Sequence, residues 1–112
     1  MRIETKPWGH EEIWAETARY AGKFLIISRG EMLSRQYHER KEETIFVLSG
    51  TLLLEIGQHP DIKQYYLSPG QSWHISPGTV HRFCATDDDV RLAEVSSPEL
   101  DDVVRLEDKY AR

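Results

Sequence analysis

Along this chain apolar and polar residues alternate in short runs, and the runs are broken by glycine, proline and acidic clusters. A side-chain period of two marks strands with one face buried. The pattern predicts strands over residues 12–16, 20–28, 32–38, 44–48, 51–56, 65–67, 72–75, 81–84 and 91–95. The second holds the continuous apolar run Phe24, Leu25, Ile26, Ile27, and the fourth reads as a buried strand. Turn chemistry separates them: Lys6-Pro7-Trp8-Gly9, Ser49-Gly50, Ser68-Pro69-Gly70, Ser76-Pro77-Gly78 and Asp87-Asp88-Asp89. Ser49-Gly50 is expected as a tight turn joining the fourth and fifth strands. Trp8 is expected to pack an N-terminal arm, about residues 1–12, onto the body of the fold. The charged tail, 97–112, suits either one short helical turn or a final strand. No helical period of convincing length precedes it. Short strands at this regular spacing indicate an all-β sandwich or barrel.

Composition narrows the class. At 112 residues the chain is one domain, 1–112, and a domain of this size buries roughly two-thirds of its unfolded surface. Hydrophobic residues make up 39% and charged residues 29%, a globular rather than a disordered balance. The formal charge of −5 argues against a nucleic-acid backbone as the main partner. It leaves open a phosphorylated small molecule, because a local cluster of Lys and Arg decides that question. The single cysteine, Cys84, rules out an internal disulfide, fits a reducing compartment and reads as a small buried hydrophobe. The opening MRIETKPWGH lacks an apolar run of signal-peptide length, and no segment approaches the roughly 18 apolar residues of a membrane helix. A cytoplasmic protein with no membrane partner is expected.

Candidate chemistry concentrates between Gly30 and Gly50, in the pattern G-x5-Q-x-H-x4-E-x6-G. Gln36 and His38 are two apart, so on a strand they project from one face. Glu43 follows four charged residues that suit a solvated turn. The strands on either side of that turn are expected to pair as a hairpin, returning the Glu43 carboxylate to Gln36 and His38. That would put one nitrogen and two oxygen donors on a single face. His81, which opens a strand after two Pro-Gly turns, is the fourth candidate, and Phe83 would share its face as an aromatic wall. Gln36, His38, Glu43 and His81 suit one divalent ion such as Zn, Mn, Fe, Co or Ni. His10, His59 and His74 read instead as ordinary satisfied polar residues.

These residues resemble a cupin, the small β-barrel family related to the jelly rolls. The first cupin motif, G-x5-H-x-H-x3,4-E-x6-G, fits with Gln36 in place of its first His. The second, G-x5-P-x-G-x2-H-x3-N, is met by Gly70, Gly78 and His81, with Ser76 for the Pro and Ala85 for the Asn. The chain is similar from end to end to the cupin domain of type II phosphomannose isomerases. Shared features include Lys6-Pro7-Trp8-Gly9, Leu33-Ser34-x-Gln36-x-His38, Ser49-Gly50-Thr51, Gln71-Ser72, Glu94-Val95 and the closing segment from Val104 to Arg112. Where the family tends to have His-His-Arg-Ala-Glu-His-Trp after the motif His, this chain has Glu39-Arg40-Lys41-Glu42-Glu43-Thr44-Ile45. It also ends Tyr110-Ala111-Arg112 where Tyr-Gly-Arg is usual.

The resemblance implies a double-stranded β-helix, jelly-roll-like barrel and a mannose 6-phosphate/fructose 6-phosphate isomerase working through an enediol. In that reading Lys41 is a candidate base, provided burial or a positive neighbour lowers its pKa. Arg105, with Arg112 as a second candidate, would bind the phosphate of a sugar phosphate. The bland alternative for these cations is a solvated charged surface. Two rivals stand beside the isomerase: another metal-dependent cupin enzyme, whether dioxygenase, isomerase or epimerase, and a cupin that binds a sugar without turning it over. Pairing through sheet edges makes a homodimer the expected assembly.

Overall fold

The structure, a computed structural model, describes residues 1–110. Those residues form eleven strands and no helix, packed as two antiparallel sheets. The six-stranded sheet runs β1 (Arg2–Lys6), β2 (Gly9–Glu16), β3 (Ala21–Ile27), β10 (Val90–Ser96), β5 (Glu43–Ser49), β8 (Ser72–Ile75). The five-stranded sheet runs β11 (Val104–Glu107), β4 (Arg35–Tyr37), β9 (His81–Ala85), β6 (Leu52–Ile56), β7 (Lys63–Leu67). Among the described residues no helix is long and apolar enough to cross a membrane.

Every predicted strand is present with shifted ends, and the tail resolves to its strand alternative as β11. One strand escaped the pattern. β1 pairs with β2 at the edge of the larger sheet, from Arg2 opposite Ile13 to Lys6 opposite Gly9. Its residues are largely exposed, so they carry no apolar alternation to read. The Pro7-Trp8 turn at the tip of this hairpin drives the Trp8 indole into the core, where it is 1% exposed.

The expected hairpin is corrected by the topology. β4 pairs with β9 and β11, whereas β5 lies between β10 and β8 in the other sheet. The Ser49-Gly50 turn joins the fourth and fifth predicted strands as expected, and in doing so carries the chain from β5 in one sheet to β6 in the other. Gly50 has φ +77°, and a Cβ there would stand 2.2 Å from the Asp89 carbonyl oxygen, so the crossing needs glycine. A strand buried on one face is satisfied equally by a sequence neighbour or by a distant strand, and here distant pairs close both sheets around a shared core.

That core is built from alternate residues of facing sheets: Leu25, Ile27, Ile45, Val47 and Leu92 on one side, Leu52, Leu54 and Phe83 on the other. The same alternation carries charge inward. In β5 the buried positions are Glu43, Ile45 and Val47, and in β10 they are Val90, Leu92, Glu94 and Ser96. Two carboxylates therefore sit on the face that also forms the core.

Candidate metal centre

His38 follows β4, His81 opens β9 and Glu43 opens β5, so two imidazoles from one sheet meet a carboxylate from the other inside the barrel. One ligand atom from each lies within 4.8 Å of the others. Glu43 Oε1 is 3.5 Å from His38 Nε2 and 3.3 Å from His81 Nε2. The three side chains are at most 5% exposed. Phe83 lies against His81, ring centres 5.3 Å apart, the aromatic wall expected from strand parity.

The loops deliver these groups. The Gly78 N–H donates to the His38 carbonyl at 2.8 Å, drawing the β8–β9 turn against His38 three residues before His81. His81 Nδ1 then donates to the Thr79 carbonyl at 2.8 Å, and His38 Nδ1 to the Asp102 carbonyl at 2.5 Å. With both Nδ1 atoms so engaged, each neutral ring turns the lone pair of Nε2 inward. His38 Nε2, His81 Nε2 and Glu43 Oε1 are buried and have no hydrogen-bond partner among the described residues. Three acceptors facing one another are costly to bury and are reconciled by a cation or by protons on the rings. The donor set of two imidazoles and one carboxylate fits a divalent ion of the borderline class.

Gln36 stands beside this cluster as the cross-strand partner of both His81 and Arg105. Its amide oxygen accepts from the Ser34 hydroxyl at 2.7 Å, which leaves that oxygen a second lone pair.

Behind Glu43 lies a ladder of alternating charge. Lys41 Nζ is 3.0 Å from Glu43 Oε2 and 3.2 Å from Glu94, Lys23 is 3.7 Å from Glu94, and Lys23 Nζ donates to Glu11 at 3.1 Å. Burial alone would raise the Glu43 pKa. Imidazole N–H groups, where the rings turn a proton rather than a lone pair toward it, and the Lys41 ammonium outweigh it and hold that carboxyl well below the usual range. Glu94 shifts the other way, raised by its burial and by the Glu43 charge.

Lys41 corrects the sequence reading. Burial would lower its pKa, but Glu94 and Glu43 outweigh burial and raise it above the ordinary lysine value. The condition for Lys41 as a base is not met in this arrangement. Its ammonium instead fixes Glu43 Oε2, leaving Oε1 to the histidines. Arg105 is exposed, lies on β11 and has no ion pair among the described residues. Arg112 lies outside the described residues. His10, His59 and His74 pair with Glu12, Glu107 and Glu42, all away from the cluster. Cys84 is buried as expected, and burial pushes its thiol up to about 11.

A cavity of about 300 Å³ opens beside the cluster, reaching Trp8, Lys23, Leu33, Gln36, His38 and Arg105. The sequence reading missed Lys23 and Glu94 as parts of this interior. Strand parity could have flagged them, because each is a charge two residues from a core leucine, Leu25 or Leu92. Asp102, in an irregular link, carried no such signal.

Comparison with known proteins agrees with this architecture. Residues 23–96 match the cupin domain model. The chain is 32% identical to the alginate biosynthesis protein AlgA of Pseudomonas aeruginosa over 111 residues, 96% of this chain and 22% of that protein. It is 27% identical to a mannose-1-phosphate guanylyltransferase of Escherichia coli, again over 96% of this chain but 23% of the relative. The chain thus spans less than a quarter of the length of these relatives. Among solved structures KdgF from Halomonas sp. superposes with a TM-score of 0.78 at 22% identity, covering 90% of this chain and 89% of that one. A barrel of two antiparallel sheets, both glycine-bounded motifs and buried histidines converging on a glutamate thus coincide with a family match over most of the chain: it belongs to the cupin domain family.

Proposed function

We propose that this domain is a metal-dependent sugar-phosphate isomerase, interconverting mannose 6-phosphate and fructose 6-phosphate through an enediol. The single observation that carries the reading is a cavity that reaches His38, one of three residues whose buried ligand atoms converge, with the unpaired cation Arg105 in its wall. Five cations line it, Arg2, Lys6, Lys23, Lys41 and Arg105, against the carboxylates of Glu4, Glu11 and Asp101. Arg2, Lys6, Lys23 and Lys41 are each ion-paired, so Arg105, which has no ion pair among the described residues, is the lining cation left to meet an anionic ligand. The similarity to proteins named for mannose-1-phosphate guanylylation and alginate biosynthesis supports a hexose phosphate.

In this reading His38, Glu43 and His81 hold the ion, with the free lone pair of the Gln36 amide as a fourth donor. When bound, the ion supplies Lewis acidity to a sugar carbonyl oxygen and so favours the enediol. Lys41 keeps Glu43 oriented. Arg105, exposed beside Gln36, receives the phosphate, and the apolar walls of Trp8 and Leu33 limit water around the sugar.

The test is metal-loaded protein with mannose 6-phosphate in heavy water, followed by NMR. Loss of the C2 proton together with formation of fructose 6-phosphate, both abolished by a chelator, is expected. Bound metal without exchange or product would remove the isomerase and favour a sugar-phosphate-binding domain. One observation supports that second reading: the Lys41 ammonium is locked between two carboxylates and offers no base.

A further inference from the structure

His38 and Glu43 are separated by a four-residue loop, and the metal cluster exists only if that loop holds its two ends at the right distance. Loop backbone has four N–H groups to satisfy here, and none is used in strand pairing. Asp102 takes three of them: its carboxylate accepts from Glu39 N at 3.0 Å, Arg40 N at 2.7 Å and Lys41 N at 2.9 Å. Ser97 takes the fourth, its hydroxyl accepting from Glu42 N at 2.9 Å, while its own N–H donates to the Glu42 carbonyl at 2.9 Å. Four consecutive amides are thus bound by one remote segment, the link between β10 and β11. That link also supplies the Asp102 carbonyl that accepts from His38 Nδ1.

We propose that the 97–102 link is the template of the metal centre, with Asp102 as its positioning residue: the carboxylate sets the loop between the two ligands and the carbonyl sets the ring of the first. The inference rests on the metal reading of the cluster, and no titration enters it. A carboxylate with two oxygens and about four lone-pair sites can accept three convergent N–H groups, which an amide or hydroxyl side chain cannot match. Loss of that hold lets the loop sample conformations in which Glu43 and His38 no longer share one ion. Outer-shell partners of this kind typically change metal affinity by about 10- to 100-fold.

Asp102→Ala removes the carboxylate and keeps the carbonyl. Titration of the folded variant with Co²⁺ and Zn²⁺, the Co²⁺ absorption spectrum reporting ligand geometry, should show affinity lower by about 10- to 100-fold. Asp102→Asn retains one acceptor oxygen and should recover part of the loss. In the metal-free proteins, amide exchange at Glu39, Arg40 and Lys41 should accelerate by about tenfold or more in Asp102→Ala, with β6 and β9 unchanged. Wild-type affinity and spectrum in Asp102→Ala would overturn the proposal, as would Asp102→Asn matching Asp102→Ala. If Asp102→Ala does not fold, Ser97→Ala and Asp102→Asn decide it: both should weaken metal binding, and unchanged affinity in both overturns it. Wild-type protein that binds no metal would instead sink the metal centre, while the exchange measurement still judges the template.

Discussion

Two buried polar clusters occupy this small barrel, and they are finished differently. Around Arg35, which is 3% exposed, every guanidinium nitrogen has an acceptor: Nε meets Glu107 at 2.8 Å, Nη2 meets Glu55 at 2.7 Å and Nη1 meets the Gly57 carbonyl at 3.2 Å. Around Glu43, three candidate ligand atoms converge and none has a hydrogen-bond partner among the described residues. The first cluster is closed and ties β11 to the sheet. The second is open, its three facing acceptors left to a cation or to protons on the rings. Satisfied burial holds a fold together, and unsatisfied, convergent burial prepares a site.

Breaking the open cluster should have the largest effect on binding and little on folding without metal. His38→Ala with His81→Ala is expected to abolish stoichiometric metal binding, read by elemental analysis after dialysis. Metal retained in the double variant would remove the assignment of these histidines.

Breaking the closed cluster should do the opposite. Arg35→Ala strands Glu55 and Glu107, and removing one partner of a buried pair costs about 3–5 kcal/mol. With Glu107 42% exposed on its side chain, the lower end is expected, about 3 kcal/mol. Urea unfolding measures this, and stoichiometric metal binding should persist. A neutral Arg35→Ala would mean that β11 is held by other contacts.

Filling the open cluster should stabilise it by mass action. Metal at about 100 times its Kd adds about 2.7 kcal/mol to unfolding. A chelator should reverse the gain, and His81→Ala should show none. A metal-independent melting temperature in the native chain would mean that the folded state holds no ion.

The smallest effect is a pH dependence confined to the closed cluster. Hydrogen bonding and charge from Arg35 hold the Glu107 carboxyl below its ordinary 4.5; for Glu55, burial is outweighed by Gln64 and Arg35, in the same direction. A depressed folded pKa gives stability that is present above the ordinary value and fades as pH falls below it. The urea-midpoint gap between native chain and Arg35→Ala should therefore be full at pH 7 and narrower at pH 3. An equal gap at both would detach Arg35 from these carboxylates.

The fold was largely legible because half-buried strands write their parity into the sequence. Thr44 to Leu48 and His81 to Cys84 read correctly from residue type alone. β1 did not, since an exposed edge strand such as Arg2–Lys6 has no apolar face to betray it. That His38, Glu43 and His81 are candidate metal ligands was legible from motif spacing, and the structure brings the three together. Lys41 was legible as a nearby cation but not in its role, because the two carboxylates that hold it charged come partly from β10, 53 positions away at Glu94.

By itself the sequence determined the all-β class, the turn positions and the residues able to ligate a metal, since these follow from local periodicity and side-chain chemistry. Only the tertiary structure decided that β4 and β5 belong to opposite sheets, so that Glu43 meets the histidines across the barrel rather than along a hairpin. It also decided that Asp102 reaches back to the loop before Glu43. The reason is physical: a strand's pattern states that one face must be buried, but the partner that buries it, and the charges that then meet inside, are chosen by the packing of the whole chain.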